Sequence, residues 1–333
     1  MAHELLIEDG EAAMFYAGTP PWHGLGTKLD HPATAAEAIK AANLDWTVQK
    51  IPAYASDERA SDRIHGEYAI VPAHKWGEPG CPVFGVVGEG YRPLQNVEAF
   101  DWFDGIVGEG AAIYHTAGAL GQGERVWMLA KLPGCIQVAD EDITDKYLLL
   151  SNSHDGLGSV QVRFTPVRVV CANTLGQALR EPGATIRVAH TRDLKGRLAL
   201  ARQNLKIIDT RYQRIEAAFR EMVRVKMDRA RLMTYFGLVF PDPADRENAR
   251  AVERVQKQRA RAAFLFENGA GNRLRSVAGT LWAAYNGVAE LVDHAPTKRD
   301  ESARLEHVWF GGGASVKVRA YQIATQIAAA GRA

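Results

Sequence analysis

The chain has 333 residues, 47% hydrophobic and 24% charged, an ordinary balance for a folded protein with room for about two domains. No stretch approaches the roughly 18 uncharged apolar residues of a membrane-spanning helix, and residues 1–18, with Glu4, Glu8, Asp9 and Glu11, lack the basic start of a signal or transit peptide. Three scattered cysteines, Cys81, Cys135 and Cys171, argue against a disulfide framework and a zinc site and place the chain in a reducing compartment, the cytoplasm.

Net charge is only +1, but it is unevenly spread. Residues 1–160 hold ten Lys/Arg against 23 Asp/Glu, a net of −13, whereas residues 161–333 hold 30 against 16, a net of +14. This asymmetry points to an anionic partner for the second half, or to neutralisation between halves and subunits. The plainer alternative is charge that only solvates a face.

In chain order, the first thirty residues read as irregular, with turns at Pro20-Pro21 and Gly24-Leu25-Gly26. Thr34, with Glu37 three residues on, has capping-box spacing and opens a short helix. Trp46–Ile51, Tyr68–Val71 and Val83–Val87 carry strand patterns. Asn96 is placed to cap a helix to about Val107, with Val97, Phe100, Phe103, Ile106 and Val107 on one face. Ala111–Ala119, Arg125–Leu132, Lys146–Ser151 and Ser159–Phe164 follow as strands, Asn173–Leu179 as a helix and Thr185–Ala189 as a returning strand.

The period then changes. Leu194, Leu198, Ala201, Leu205, Ile208, Tyr212, Ile215, Phe219 and Met222 step by fours and threes, a heptad-type stripe of a long amphipathic helix, best read as packing within the chain. A second basic helix carries Val252, Val255, Arg259, Ala262 and Phe266, a third runs from Ser276 to Val292, and a last one from about Val316 to Ala329 follows Gly311-Gly-Gly313. The expected fold is therefore α+β: an antiparallel sheet with packed helices over residues 1–190, then a mainly helical region over 191–333 with long basic amphipathic helices.

Several segments carry a resemblance. Pro21-Trp-His-Gly-Leu-Gly26, Tyr91-Arg-Pro-Leu-Gln-Asn96, Ser151-Asn-Ser-His-Asp-Gly156 and Arg168-Val-Val-Cys-Ala-Asn-Thr174 resemble the phage/plasmid-like family built on domain of unknown function 932, as do Trp282–His294 and Phe310-Gly-Gly-Gly-Ala314 to Lys317. The resemblance covers nearly the whole chain; it implies a home on phages, plasmids or integrated elements and brings no assigned activity. The order of strand, Asn96-opened helix, antiparallel strands and helix is also similar to single-strand annealing proteins of the Rad52 type. Those form rings or filaments and hold single-stranded DNA in a basic groove. The acidic first half departs from that pattern, so a groove here must be lined locally or supplied by the second half.

The residue types needed to grip a phosphate backbone are concentrated from Arg163 to Lys206. Arg163, Arg168, Arg187, His190, Arg192, Lys195, Arg197, Arg202 and Lys206 are the candidate contacts, because each phosphate they neutralise releases counterions. Tyr91, Tyr114 and Phe164 are candidate stacking platforms for bases. His154-Asp155 reads as a turn at Asp-Gly more readily than as a metal or acid–base pair, and His23 lacks a second ligand at metal spacing. Gly311-Gly-Gly-Ala-Ser315 lacks the Gly-Lys-Ser/Thr of Walker A and reads as a turn with Ser315 as cap. Cys171 reads as core.

These observations lead to a non-enzymatic nucleic-acid-binding protein of a mobile element, favouring single-stranded DNA, self-associating, without membrane attachment, cofactor or metal. The alternatives are an enzyme with a dispersed nuclease- or nucleotide-acting site using His23, His154 and Asp155, and a scaffold or host-defence modulator whose helical half recognises another protein.

Overall fold

Two long strands whose apolar residues point to both sides form the centre of the fold. In the computed structural model, which describes residues 5–8, 11–17, 26–31, 33–56, 60–107, 113–168, 173–174, 185–204, 208–294, 307–308 and 311–331, these are β9 (Arg125–Ala139) and β10 (Asp142–Ser153). They pair antiparallel, with Met128 opposite Leu150 and Ala130 opposite Leu148. A small hairpin, β1 (Ile7–Glu8) with β2 (Glu11–Ala12), precedes β3 (Met14–Ala17) and β4 (Thr27–Leu29). The three strands β5 (Val48–Ser56), β6 (Ser61–Pro72) and β7 (Gly85–Gly88) make a separate antiparallel sheet.

The main sheet adds β8 (Ile113–Leu120), β11 (Val160–Phe164), β12 (Val167–Arg168), β13 (Asn173–Thr174) and β14 (Thr185–Val188). Its order is β13-β12-β10-β9-β8-β3-β4, and β11 pairs with β10 and carries β14 outward. All of these pairings are antiparallel except β3 with β4.

Because successive strand residues point to opposite faces, the register assigns every side chain. Val126, Met128, Ala130, Leu148, Leu150, Val160, Val162 and Phe164 share the face buried in the main core. Trp127, Leu129, Tyr147 and Leu149 lie on the other face, in a smaller cluster with Leu5, Met14 and Leu120. Gln161 and Arg163 pair with Ser151 and Leu149, and Arg187 with Gln161, so both arginines belong to this second face.

Helices α1 (Ala35–Ala41) and α2 (Asn96–Val107) pack on the main-core side of the sheet. Thr34 and Glu37 form the capping box read from their spacing. The helical second half consists of α3 (Leu194–Asn204), α4 (Ile208–Arg224), α5 (Arg229–Val239), α6 (Ala249–Asn268), α7 (Leu281–His294) and α8 (Gly312–Ala330). The mixed α+β architecture with a helical C-terminal part is thus the one that the period change foretells. Among these helices, none is long and apolar enough to cross a membrane.

The heptad stripe is divided between α3 and α4, with Leu205 outside the described residues. Leu194, Leu198, Tyr212, Ile215, Phe219 and Met222 from it are all buried in the main core, so the stripe packs within the chain. Phe219 lies at the meeting point of α4, α7 and α8, its ring 4.5 Å from Trp282, 6.4 Å from Tyr285 and 6.2 Å from Tyr321. Trp282 in turn donates its indole N–H to the buried Asp142 carboxylate at 2.6 Å, joining α7 to the start of β10. One apolar cluster runs from Leu6 to Ala328.

Four local expectations need correction. Asn173–Thr174 form the short strand β13 rather than opening a helix, because they pair with Val167–Arg168; residues 175–179 lie outside the described set. The third helix begins at Leu281, five residues later than read, because Thr280 bridges Lys226 and Gly279 adopts a left-handed φ of 73°. Gly312 and Gly313 form the first turn of α8, with Gly311 rather than Ser315 as its cap. A Cβ on Gly313 would sit 2.8 Å from atoms of His307 and Val292, so this position is glycine for close approach. Asn96, finally, does not cap α2: its side chain is turned into the core, and Glu98 accepts the Gln95 N–H instead.

Phe219→Ala empties the centre of the aromatic cluster and should destabilise the protein by about 3–5 kcal/mol. A chemical-denaturation midpoint unchanged from wild type would show that α4, α7 and α8 are not held together at this point.

Candidate nucleic-acid interface

Two of the segments that carry the resemblance, Tyr91–Asn96 and Ser151–Gly156, meet at the end of β10. In Tyr91–Asn96, Gln95 extends the edge of β5 by a reciprocal pair of bonds, its amide donating to Val48 O at 3.0 Å and accepting from Val48 N at 2.9 Å. The buried Asn96 donates to Leu44 O (3.0 Å) and Trp46 O (3.4 Å). Its oxygen is left to accept, and His154 Nε2 lies 3.0 Å from it. His154 therefore carries its proton on Nε2, which leaves Nδ1 as a bare acceptor, buried and without a partner. Asn152, two residues earlier on β10, donates to Leu94 O at 2.9 Å.

His154 is fully buried, 5.7 Å from the Trp46 ring and 6.2 Å from that of Phe84. Burial pushes its pKa down to about 3, with neighbouring His190 adding to the effect, so the imidazole is neutral at physiological pH. Asp155 points elsewhere: one of its oxygens accepts from Ser153 Oγ (2.6 Å), Leu157 N (2.7 Å) and Gly158 N (3.3 Å) and holds the turn that Gly156 closes at φ 78°. The two side chains thus serve different backbone segments. Among the described residues, no group of three His, Cys, Asp or Glu is placed to hold a metal ion; His23 lies outside them.

Above this buried joint is an open groove of about 590 Å³, bounded by Gly90 and Tyr91 on one side and by the segment from His190 to Arg197 on the other. The Tyr91 ring stacks on His190 at 4.9 Å and 27°, and its hydroxyl donates to Ser153 O at 3.1 Å. Burial holds the phenol well above its usual pKa, so it remains a donor. His190 and Arg92 are joined twice: Arg92 N–H donates to His190 O, and His190 Nδ1 lies 3.1 Å from Arg92 O. A carbonyl only accepts, so Nδ1 carries the proton and Nε2 is bare. Both His190 Nε2 and Thr191 Oγ1 are buried at the groove without a partner.

Arginines surround these groups. Arg192 and Arg197 line the groove together with Asp193, and all three are exposed, so the lining keeps a net positive charge of one. Arg192 reaches Glu89 only at 3.9 Å, an exposed contact of little energetic weight. Arg197 has no carboxylate partner among the described residues. Lys50, which the sequence reading missed, gives its three ammonium protons to the carbonyls of Gly88 (2.9 Å), Glu89 (2.7 Å) and Tyr91 (3.2 Å). It thereby curls the turn that presents Tyr91. Partial burial lowers its pKa, and the nearby Arg92 and Arg192 act in the same direction, so these three cations share one field. Nothing in the alternation of β5 marks Lys50 for that role.

Of the residues singled out from sequence, Tyr91, His190, Arg192 and Arg197 come together here. Lys195 is turned to Glu98 of α2, 3.8 Å away. Arg163 and Arg187 lie on the second face of the sheet, where Arg163 bonds Gln161 on its own strand. The backbones of Arg168 and Arg202 belong to β12 and α3, but their side chains, and all of Lys206, lie outside the described residues. Tyr114 and Phe164 do not offer stacking faces. Both are core residues, the first bonded through its hydroxyl to Asp104 and the second packed edge-on against Tyr212 at 5.4 Å.

Fold and site together define an α+β protein with a cationic, aromatic-floored groove beside its main antiparallel sheet. Residues 83–309 match the family model described as domain of unknown function DUF932, and the chain belongs to that family. No curated protein and no solved structure matches it.

The depressed pKa of His154 has a consequence for stability. An unfolded chain binds a proton at this histidine near pH 6.5, the folded one only near pH 3, so stability is full above the upper value and falls as pH drops between the two. His190, shifted down by burial in the same direction, adds to the loss. His154→Gln should flatten the stability–pH curve between roughly pH 6 and 4. Parallel wild-type and variant curves from urea melts would rule this assignment out.

Proposed function

We propose that this protein binds single-stranded nucleic acid in the groove between Tyr91 and the His190–Arg197 segment. The carrying observation is the convergence there of an aromatic ring, two exposed arginines of the His190–Arg197 wall and buried polar atoms that lack partners. Arg92, Arg192 and Arg197 supply the charge that displaces counterions from phosphates. Tyr91 supplies a face on which a base can lie, braced from behind by His190. His190 Nε2 and Thr191 Oγ1 supply an acceptor and a hydroxyl for a sugar or base edge.

A single groove holds few nucleotides, so a strand of useful length requires copies of the chain side by side. Self-association fits the opposed charges of the two halves. A home on phages, plasmids or integrated elements fits the family resemblance, and the similarity in element order of its first half to annealing proteins supports pairing of complementary strands as the role. The groove contains no nucleophile–base pair among the described residues, and binding without chemistry is the reading that best fits its composition.

Wild-type protein should bind a short oligo-dT at low salt and lose affinity steeply as salt rises. Tyr91→Ala should cost about 1–3 kcal/mol per stacked base with the salt slope kept, whereas Arg192→Glu with Arg197→Glu should reduce both affinity and slope. Fluorescence anisotropy at two salt concentrations decides it. Absence of binding at low salt, or binding indifferent to salt, sinks the proposal.

A further inference from the structure

The sequence reading assigned the second-half charge to the region around α3, but the densest run of exposed cations in the described residues lies elsewhere. Helix α6 has two contrasting faces. Val255, Ala262 and Phe266 are buried against the rest of the helical half, and Arg259, on the same side, donates twice to Phe240 O (2.9 and 2.6 Å) and pairs with Asp242 at 2.8 Å. On the opposite side, Arg250, Arg254, Lys257 and Arg261 are all exposed. Their spacing of four, three and four residues confines them to an arc of about 60° and spreads them over about 16 Å of helix axis.

These four line a shallow groove of about 360 Å³, closed on one side by Leu291 of α7. Glu253 is the one carboxylate that lines it, and that charge is committed to Lys257 at 2.7 Å. Beyond the last cation, Phe264 is half exposed, and the Arg261 guanidinium lies over its ring at 4.8 Å. An arginine stacked on an exposed ring is held extended along the surface and loses less freedom when it meets an anion. Helical stability does not need this stripe: like charges at these spacings repel one another by a few tenths of a kcal/mol each. The other face, with its Asn248 cap, holds the helix.

We infer that the outer face of α6 is a second nucleic-acid track, occupied by the phosphodiester backbone of a strand. The partner follows from charge complementarity and length. Four cations in a row, with a net of three after Glu253, call for a regularly repeating anion. At a rise of about 3.4 Å per nucleotide in a helical strand, 16 Å spans about five phosphates. A protein with this track and the Tyr91 groove engages two stretches of nucleic acid at once, as a strand-pairing factor must. This extends the proposed function to a different surface, carried by different residues.

The test uses four full-length proteins: wild type, a stripe variant (Arg250→Glu, Arg254→Glu, Arg261→Glu), a groove variant (Arg192→Glu, Arg197→Glu), and both sets combined. Thermal melts verify that each is folded, as expected for exposed positions. Binding of a 20-nucleotide oligo-dT, and of a duplex of the same length, is measured across salt. The stripe variant should show a salt slope smaller by about 2 for the single strand, from three lost contacts at about 0.7 each. A fifth protein, with lysine in place of the same three arginines, should restore the slope. A stripe variant with wild-type affinity and slope on both probes overturns the second track, whatever the groove variant does. A groove variant with wild-type binding overturns the groove reading instead, whatever the stripe variant does.

Discussion

The hydrogen bond between His154 and Asn96, closed inside the protein, is the constraint on which the rest of the site depends. It connects three segments distant in sequence, the end of β10, the start of α2 and, through Asn96, the Leu44–Trp46 segment leading into β5, and the Asn152–Leu94, Tyr91–Ser153 and Gln95–Val48 bonds reinforce the same joint. The imidazole donates through Nε2, and its burial beside Trp46 and Phe84 keeps it neutral, with the proton on that nitrogen. Fixing Asn96 fixes the preceding turn, and with it Tyr91. The groove is therefore built from below. A polar core, costly to bury unless its groups are paired, specifies the geometry of an exposed surface.

The same joint explains how an acidic first half can take part in a cationic site. Lys50 and Arg92 are among the few cations before residue 160, and both belong to the turn that presents Tyr91, Lys50 through its bonds to Gly88, Glu89 and Tyr91 O and Arg92 as the next residue in the chain. Most carboxylates of that region lie elsewhere, and the two facing α3, Glu89 and Glu98, meet Arg192 and Lys195 only at long, exposed distances. Such contacts are screened by salt and yield readily to a phosphate. The positive charge of the second half is spread over several surfaces, among them the groove, the outer face of α6, the second face of the sheet, and helices α4 and α5.

Periodicity made much of this fold legible. The alternation in Val160–Phe164 gives the buried and open faces of β11 correctly, the Thr34–Glu37 spacing gives a real capping box, and Leu194, Leu198, Tyr212, Ile215, Phe219 and Met222 of the stripe are buried. What local pattern could not give is parity, meaning which face of an element meets the core. Tyr114 and Phe164 look like available aromatics in the sequence, but pairing with β9 and β10 turns both inward. Asn96 stands where caps stand, and only the arrival of Leu44, Trp46 and His154 around it gives its amide better partners. The basic character of α6 is plain in the sequence, but its apolar spacing names Val255 and Phe266 and does not say that Arg250, Arg254, Lys257 and Arg261 line one groove with Leu291 of α7.

Photo-crosslinking tests the central claim most directly, because it reports contact rather than affinity. A halogenated-uracil oligonucleotide bound to the wild-type protein and irradiated should, on mass-spectrometric mapping, carry its main adduct on Tyr91, with none on the enclosed Tyr114 or Phe164. Bound oligonucleotide that crosslinks at other aromatic residues while leaving Tyr91 unmodified would contradict the account.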